Sequence, residues 1–247
     1  MSLLPNVTQA RFGGWTTDIQ LPPGSRQSGQ KATEYAYQYL KHLIVTLELP
    51  PLAIITEAAV AQTLEISRTP VRETFLRLAG EQLLDLIPYR GAMVPAITKR
   101  AVEEQAVTRY LFESYGVETI CNSKLPIAAE LRRTVEQQRT IYENDSERIV
   151  DMITADKEFH WQLVRATGNT DLSQLYSSFH DRQLRIGVAL FQAFPDRRCA
   201  AIDEHISIIE AIEQFDLELA KSRLEYHLFG KISELGGVFT NYTAPNA

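Results

Sequence analysis

The stretch from Ser67 to Leu78 constrains the fold of this chain more than any other part of the sequence. It has the features of a helix start, because Ser67 can act as an N-cap and Pro70 falls in the first turn, where its missing N–H costs little. At about 100° per residue, Val71, Phe75 and Leu78 share one face. The pattern therefore predicts a short helix that buries one face against a core.

The opposite face of this predicted helix is rich in polar and basic side chains. It carries Thr69, Arg72, Glu73 and Arg77, and Arg68 lies at the exposed N-terminal end. Guanidinium groups can bind phosphates or guanine edges in the DNA major groove, and the positive end of a helix favours anions. The alternative is a surface helix with ordinary solvated arginines.

The segments on either side of this helix favour one arrangement. Residues 57–64 have a second helix-like pattern, and residues 65–67 form a tight turn that leads into the basic helix. Two β-like runs follow at 84–87 and 92–95, joined by a turn at 88–91 that contains proline and glycine. A helix, a turn, a second helix and a hairpin are the parts of a winged helix-turn-helix, so we predict a DNA-binding domain here.

Residues 39–94 resemble the DNA-binding domain of the GntR family of bacterial transcription regulators. The resemblance rests on several short motifs: Leu49-Pro50-Pro51, Thr56-Glu57 with Leu64, Ser67-Arg68-Thr69-Pro70-Val71-Arg72-Glu73, Glu81-Gln82-Leu83-Leu84 and Arg90-Gly91. It implies that the basic helix and the wing bind DNA through Ser67, Arg68, Thr69, Arg72, Glu73, Arg77, Arg90 and Gly91. The family usually has glycine at two turns where this chain has Leu52 and Gln82, which puts local backbone shape in doubt more than DNA contact.

Length and composition suit two folded domains and a tail. The chain has 247 residues, 45% of them hydrophobic, which is enough for two separate cores. We predict a flexible N-terminal arm at 1–30, the winged helix-turn-helix at 31–98, and an effector-binding and dimerisation domain at 99–247. The arm shows no sustained periodicity and contains several glycines and prolines. Alternatively, Arg11 and Arg26 in the arm could touch a minor groove.

Charge and cysteine content bear on the partners and the location of the chain. The net charge of −6 argues at first against a nucleic-acid partner. However, residues 31–98 carry six Lys or Arg and seven Asp or Glu, whereas residues 99–247 carry 17 and 23, so most of the acid lies outside the DNA-binding domain. We therefore expect specific, salt-sensitive DNA binding. No apolar run approaches a membrane span, and Cys121 and Cys199 are predicted to be free thiols in a reducing cytoplasm.

Beyond residue 98 the sequence predicts only helices. Amphipathic stretches broken by short turns give six: 99–122, 126–144, 146–167, 171–194, 197–214 and 216–235. The predicted fold class is therefore mainly α, with an N-terminal winged helix-turn-helix and a C-terminal all-α six-helix bundle.

Three of the five histidines fall at positions that suggest a metal site. Asp156 and His160 are four residues apart, so both project from one face of a helix, and His205 and His227 lie on the last two predicted helices. Three imidazoles and a carboxylate that face inward would suit a divalent ion with open positions for water or a ligand. The alternative is that each histidine is a hydrogen-bonded core residue.

Residues 99–247 resemble the FCD effector domain of the FadR-like branch of the GntR family. The matching segments are Asp156-Lys157-Glu158-Phe159-His160, Gly168-Asn169, Asp203-Glu204-His205, Ala211-Ile212-Glu213 and His227-Leu228. The resemblance implies one divalent metal ion per chain, zinc before nickel, manganese or iron, held by Asp156, His160, His205 and His227. Six helices rather than seven would place the chain nearer the VanR-like subgroup.

The same resemblance implies an effector, a small organic acid, beside the metal. Arg109 and Glu113 match the Arg-x-x-x-Glu pattern of the family. Arg109 is the candidate carboxylate clamp, because a guanidinium can bind a carboxylate through two hydrogen bonds. Arg182 and Arg185 are weaker candidates, and a solvated or salt-bridged role is favoured for each.

The sequence therefore predicts a homodimeric bacterial transcription regulator, a repressor, that binds a double-stranded DNA operator under the control of a carboxylate metabolite. No catalytic residue is assigned. Two alternatives stay open at this point. One is a metal-dependent hydrolase, which would leave the DNA-binding domain unexplained, and the other is a regulator whose metal only stiffens the bundle.

Overall fold

The computed structural model describes residues 21–230 and residue 232. These residues divide into two compact units. The first contains the described residues up to Lys41 together with Leu49–Pro95. The second contains His42–Glu48 together with the described residues from Ala96 onward.

The predicted N-terminal arm is described only in part, since residues 1–20 lie outside the described residues. Residues 21–30 make contacts within the first unit. The Tyr39 hydroxyl donates to the Pro22 carbonyl at 2.5 Å, and Arg26 donates to a backbone carbonyl of its own segment. This part of the arm is therefore held in place, and the Arg26 side chain already has an acceptor.

The elements up to residue 95 are three helices and three short strands. In chain order they are α1 (Ala32–Val45), β1 (Ile54–Ile55), α2 (Glu57–Thr63), α3 (Arg68–Gly80), β2 (Asp85–Ile87) and β3 (Gly91–Met93). The strands form one antiparallel sheet with β3 in the middle, where Ile54 of β1 and Asp85 of β2 both pair with Met93. The predicted winged helix-turn-helix is confirmed. Strand β1 lies outside the predicted elements, because two residues are too few to show a period.

Helix α3 buries the face that its sequence predicts. Val71, Phe75 and Leu78 are at most 2% exposed, and burying each such side chain contributes about 1.5–3 kcal/mol. Thr74 lies on the same face, where its hydroxyl donates to a backbone carbonyl one turn earlier. Ser67 occupies the N-cap position with extended backbone, but its side chain makes no capping hydrogen bond, so that detail of the prediction is wrong.

Several turns of this unit adopt the left-handed backbone conformation without glycine. Leu52 and Gln82, which stand where the family usually has glycine, have φ angles of 68° and 59°. This conformation costs a non-glycine residue roughly 1–2 kcal/mol. Gly91 has a φ of 106°, and a Cβ there would lie 2.2 Å from the Ile55 carbonyl oxygen. The turns at Leu52 and Gln82 therefore keep the glycine-type shape at an energetic cost, whereas the wing has the glycine it needs.

From residue 99 onward the described residues form helices only. They are α4 (Lys99–Ser123), α5 (Ala128–Asn144), α6 (Ile149–Arg165), α7 (Thr170–Ser177), α8 (His180–Ala193), α9 (Asp196–Glu213) and α10 (Leu217–Phe229). The all-α prediction is confirmed, but the predicted count of six is wrong, because the predicted helix at 171–194 is divided into α7 and α8. Helix count therefore no longer supports the VanR-like subgroup.

Two adjacent serines lie at the division of that helix. The hydroxyls of Ser177 and Ser178 donate to the backbone carbonyls of Gln174 and Leu175. Serine hydroxyls that bind nearby carbonyls compete with the helical hydrogen-bond ladder. The Phe179 N–H then bonds three residues back instead of four, and α8 starts at the next residue.

An apolar core surrounds a polar centre in the helical domain. The core includes Val117, Ile120, Phe159, Leu163, Ile208, Ile209 and Leu224. Helices α4 and α6 approach closely at Gly116, where a Cβ would lie 2.2 Å from the Leu163 carbonyl oxygen. This approach brings the inward polar residues of the two helices within hydrogen-bonding distance. Among the described residues, no helix combines the length and the apolar character that a membrane crossing requires.

Candidate metal centre and nucleic-acid interface

Four side chains from three helices converge at the polar centre. Asp156 and His160 lie one turn apart on α6, His205 lies on α9 and His227 lies on α10. Each offers a ligand atom, and these atoms all lie within 4.8 Å of one another. His160 Nε2 is 3.1 Å from Nε2 of His205 and of His227. One Asp156 oxygen is 3.4 Å from His205 Nε2. The structure thus brings the four predicted ligands together.

Each imidazole is oriented by a hydrogen bond on its outer side. The Nδ1 atoms donate to oxygens of neighbouring helices: His160 to Glu113 at 2.6 Å, His205 to Gln138 at 3.1 Å and His227 to Glu204 at 2.7 Å. An ionised carboxylate or an amide oxygen can only accept, so Nδ1 carries the proton and the Nε2 lone pair faces the centre. Outer partners of this kind fix the tautomer and increase the basicity of metal ligands.

Glu113 binds three side chains at once. Besides His160, its carboxylate accepts from the Tyr176 hydroxyl at 2.6 Å and from Arg109 Nε at 2.9 Å. Burial would raise the pKa of Glu113, but the Arg109 cation and the hydrogen bonds from His160 and Tyr176 lower it to about 2. The carboxylate is therefore ionised at neutral pH. One residue of α4 thus links α6 and α7.

Burial keeps two of the histidines uncharged at neutral pH. It lowers the pKa of His160, with the Arg109 cation as a further cause, and it lowers the pKa of His205 well below its usual range. A neutral imidazole is the form that binds metal. Lone pairs that face each other at 3.1 Å repel unless a cation lies between them. With the Asp156 carboxylate as a fourth donor, the set fits a borderline divalent ion such as zinc.

A cavity of about 620 Å³ adjoins this centre. Asp156 and His227 form part of its wall, and Arg109 lines it from α4. Arg109 is buried to a side-chain exposure of 18%, with its Nε held by the carboxylate one turn away. It therefore lies where the resemblance implies an effector clamp. The weaker candidates Arg182 and Arg185 do not line this cavity.

Sequence reasoning missed most of the residues that support the centre. Glu113 had a signal, since it follows Arg109 by one helical turn, and Glu204 stands next to a predicted ligand. Gln138 and Tyr176 had none, because a polar residue on an amphipathic helix is usually exposed. Both are fully buried, and this emerges only from the packing of α5 and α7.

The predicted DNA contacts of the first unit form two exposed groups. One group lies at the start of α3: Ser67, Arg68, Thr69 and Arg72. The free backbone N–H groups of a helix start add to the attraction for phosphate. The other group is the hairpin between β2 and β3, where Arg90 is exposed beside Gly91.

Two of the predicted DNA contacts are engaged within the unit. Glu73 accepts from the Thr33 hydroxyl at 3.0 Å. Arg77 donates to Glu34 at 3.1 Å, and its guanidinium lies over the Tyr37 ring, 3.3 Å from the centroid. These contacts anchor α3 to α1. DNA contact by Glu73 and Arg77 stays a prediction, and DNA would have to compete with these partners.

Comparison with known proteins gives two family matches and relatives that align over more than two thirds of this chain. The family described as FCD domain matches residues 104–230, and that described as bacterial regulatory proteins, gntR family, matches residues 32–94. The chain is 32% identical over 169 residues to the HTH-type transcriptional regulator McbR of Escherichia coli K12, over 68% of this chain and 74% of McbR. It is 28% identical over 180 residues to the "Probable D-xylose utilization operon transcriptional repressor" of Paenarthrobacter nicotinovorans, over 73% and 78% of the two chains. A solved GntR transcriptional regulator of Rhodococcus sp. RHA1 shares the fold with a TM-score of 0.68 at 20% identity, over 84% of this chain and 99% of that one.

Proposed function

Because the chain belongs to the GntR family of bacterial regulatory proteins and carries an FCD domain, it is a DNA-binding transcription regulator, and we propose that it is a repressor controlled by a small organic acid. The proposed effector binds beside a divalent metal ion in the helical domain. The family consists of transcription regulators, which are not enzymes.

One observation carries the proposal about the effector. Three inward Nε2 atoms and a carboxylate converge at the wall of a cavity that Arg109 also lines. A divalent ion held by Asp156, His160, His205 and His227 would supply positive charge and open coordination positions for a carboxylate. The Arg109 guanidinium, whose Nε is held by Glu113, would direct its other N–H groups to the same ligand.

DNA recognition is assigned to the two exposed groups of the first unit. We expect a homodimer that places two copies of α3 in successive major grooves, about 34–36 Å apart along the DNA. Arg68 and Arg72 would contact base edges and phosphates, Ser67 and Thr69 would contact phosphates, and Arg90 with Gly91 would position the wing. Because the arginines would displace counterions from the phosphates, binding should weaken with salt, and because the domain is not basic overall, we expect specific binding rather than strong general affinity for DNA.

Control requires that the effector bind two states of the protein with different affinity. Glu113 provides a physical connection, because it touches a predicted metal ligand, the predicted clamp and Tyr176 of α7. A ligand that moves Arg109 must therefore alter the partners of Glu113. Such a shift within the helical domain could change the spacing of the two DNA-binding domains in the homodimer.

The first experiment is elemental analysis of protein purified without chelators, beside the double variant His160→Ala/His205→Ala. We expect about one equivalent of a divalent metal per chain in the unsubstituted protein and none in the variant. Operator binding is then measured with and without metal and with added carboxylic acids, on an operator selected from random DNA. Absence of metal in both proteins, even after incubation with zinc, would refute the metal centre.

The two alternatives give different outcomes in the same experiments. If metal removal unfolds the domain while carboxylic acids leave operator binding unchanged, the metal is structural. Turnover of small esters, amides or phosphates by the metal-loaded protein, absent from the double variant, would instead support a hydrolase.

A further inference from the structure

We propose that the effector is an amphipathic monocarboxylic acid whose apolar body fills the part of the cavity away from the metal centre. This inference rests on the proposed function, since it assigns the carboxylate end of the ligand to that centre. It adds the chemistry of the rest of the ligand.

Several polar residues of the cavity wall lie at the centre already described. Asp156 and His227 belong to the centre, and Arg109 is bonded to the carboxylate that orients His160. Gln183 of α8 lies at the same end, close to Tyr176, whose hydroxyl donates to that carboxylate. One end of the cavity therefore suits a single anionic group.

The rest of the cavity wall is mainly apolar. Five of the lining residues belong to one hydrophobic cluster, contributed by α4, α8, the residue that follows α8 and the segment after α10: Val102, Ile186, Leu190, Phe194 and Ile232. Phe191, Ala201 and Leu228 extend this wall. An apolar body gains most from such surroundings, because transfer from water is favourable in proportion to the area buried.

Two helices give the distance between the two ends. Along α4 the wall runs from Arg109 back to Val102, seven residues or about 10 Å. Along α8 it runs from Gln183 forward to Ala193, ten residues or about 15 Å. An acid of a few carbon atoms would leave most of this length unfilled. The cavity therefore suits a ligand with an extended apolar body.

The charges on the wall argue against a second carboxylate on the ligand. Among the described residues that line the cavity, the cations are Arg109, Lys157 and Arg197. Lys157 follows Asp156 directly on α6, and Arg197 donates through both of its Nη atoms to Glu204. A second carboxylate at the apolar end would be buried without a partner, which is strongly unfavourable.

The test is calorimetric titration of the full-length, zinc-loaded protein with straight-chain acids: acetate, butyrate, hexanoate, octanoate and decanoate. We expect affinity to rise about threefold to fourfold for each added CH₂ until the cavity is filled. Succinate and citrate serve as small polyacids and should bind more weakly than octanoate. Equal affinity for acetate and octanoate, or tighter binding of citrate than of octanoate, would overturn the inference.

A pair of matched variants locates the apolar body. Leu190→Asn places an amide at the apolar end and should remove the gain with chain length while acetate binding stays unchanged. Leu175→Asn, on the exposed surface of α7 and outside the cavity wall, is the control and should behave like the unsubstituted protein. If Leu190→Asn lowers stability, Phe194→Leu replaces it: this variant enlarges the apolar end and should shift the optimum to a longer acid.

The metal-free protein separates failure of this inference from failure of the proposed function. A gain with chain length that persists in the His160→Ala/His205→Ala variant would support the apolar body and overturn the metal-centred function. Metal-dependent binding of all the acids, without any gain in affinity for longer chains, would support the metal-centred function and overturn the apolar body.

Discussion

The two units of this protein carry their functional polar residues in opposite ways. In the first unit, Arg68 and Arg72 lie one turn apart on a single helix, and both are exposed. In the second unit, Glu113, His160 and His205 come from three different helices, and each is at most 1% exposed. The DNA-binding residues are therefore adjacent in sequence and open to solvent, whereas the effector-site residues are assembled by packing.

This difference determines how much each set of residues contributes to folding stability in addition to its role in binding. An exposed arginine contributes little to folding, so its substitution should change DNA affinity alone. A buried polar group must keep its partners, because an unsatisfied one is costly. The effector site is thus also part of the stability of the helical domain, and substitutions in the two units should separate the two quantities.

Glu113→Ala should give the largest change in stability and show that the effector site also stabilises the helical domain. It leaves Arg109, Tyr176 and His160 buried without their common acceptor. We expect the free energy of unfolding to fall by about 3–5 kcal/mol, measured by urea denaturation of the metal-free protein. Glu118→Ala on the same helix removes a half-buried pair with Lys221 and should cost less than about 1 kcal/mol. Similar losses for both variants would contradict the role of Glu113.

Arg72→Ala tests the opposite behaviour in the first unit. We expect operator affinity to fall about 10- to 100-fold while the unfolding transition stays unchanged. Fluorescence anisotropy on the selected operator measures the first quantity, and thermal unfolding measures the second. Arg223→Ala, which removes one exposed arginine from α10, is the charge-matched control. Normal operator binding by Arg72→Ala would refute the assignment of α3 as the recognition helix.

Gln138→Leu tests whether outer partners tune the metal centre without being ligands. It removes the acceptor for His205 Nδ1 but leaves the four ligand side chains in place. We expect zinc affinity to fall about tenfold in competition with a chelator dye. Gln137→Leu, at the exposed neighbouring position on α5, should leave zinc affinity unchanged. An unchanged affinity in Gln138→Leu would mean that the His205 orientation does not depend on this hydrogen bond.

Gln82→Gly should give the smallest effect and a gain in stability. Gln82 holds a left-handed turn with a φ of 59°, a conformation that glycine adopts without strain. Part of the gain is offset because glycine also makes the unfolded chain more flexible, so we expect an increase of up to about 1 kcal/mol in the free energy of unfolding. Gln62→Gly, at an exposed position in α2, should instead lose about 0.5–1 kcal/mol. A loss in both variants would show that the turn is not strained.

Some structural features could be predicted from the sequence and others could not, as two sets of residues show. Helical spacing alone predicts that Val71, Phe75 and Leu78 share a buried face, and the structure confirms this prediction. The break between α7 and α8 could not be predicted from Ser177 and Ser178, since serine is common on exposed helix faces. Their hydroxyls bond carbonyls in the last turn of α7, and the helical spacing does not reveal that these bonds form.

The sequence by itself determined the fold class, the presence of the DNA-binding helix and the identity of the four candidate ligands. These follow from periodicity and from motifs, which depend on residues close together in the chain or on resemblance. Only the tertiary structure decided which oxygen orients each histidine, that one buried carboxylate joins Arg109, Tyr176 and His160, and that a mainly apolar cavity adjoins the centre. The physical reason is that these features arise where helices distant in sequence pack together, and burial then makes each polar contact between them obligatory.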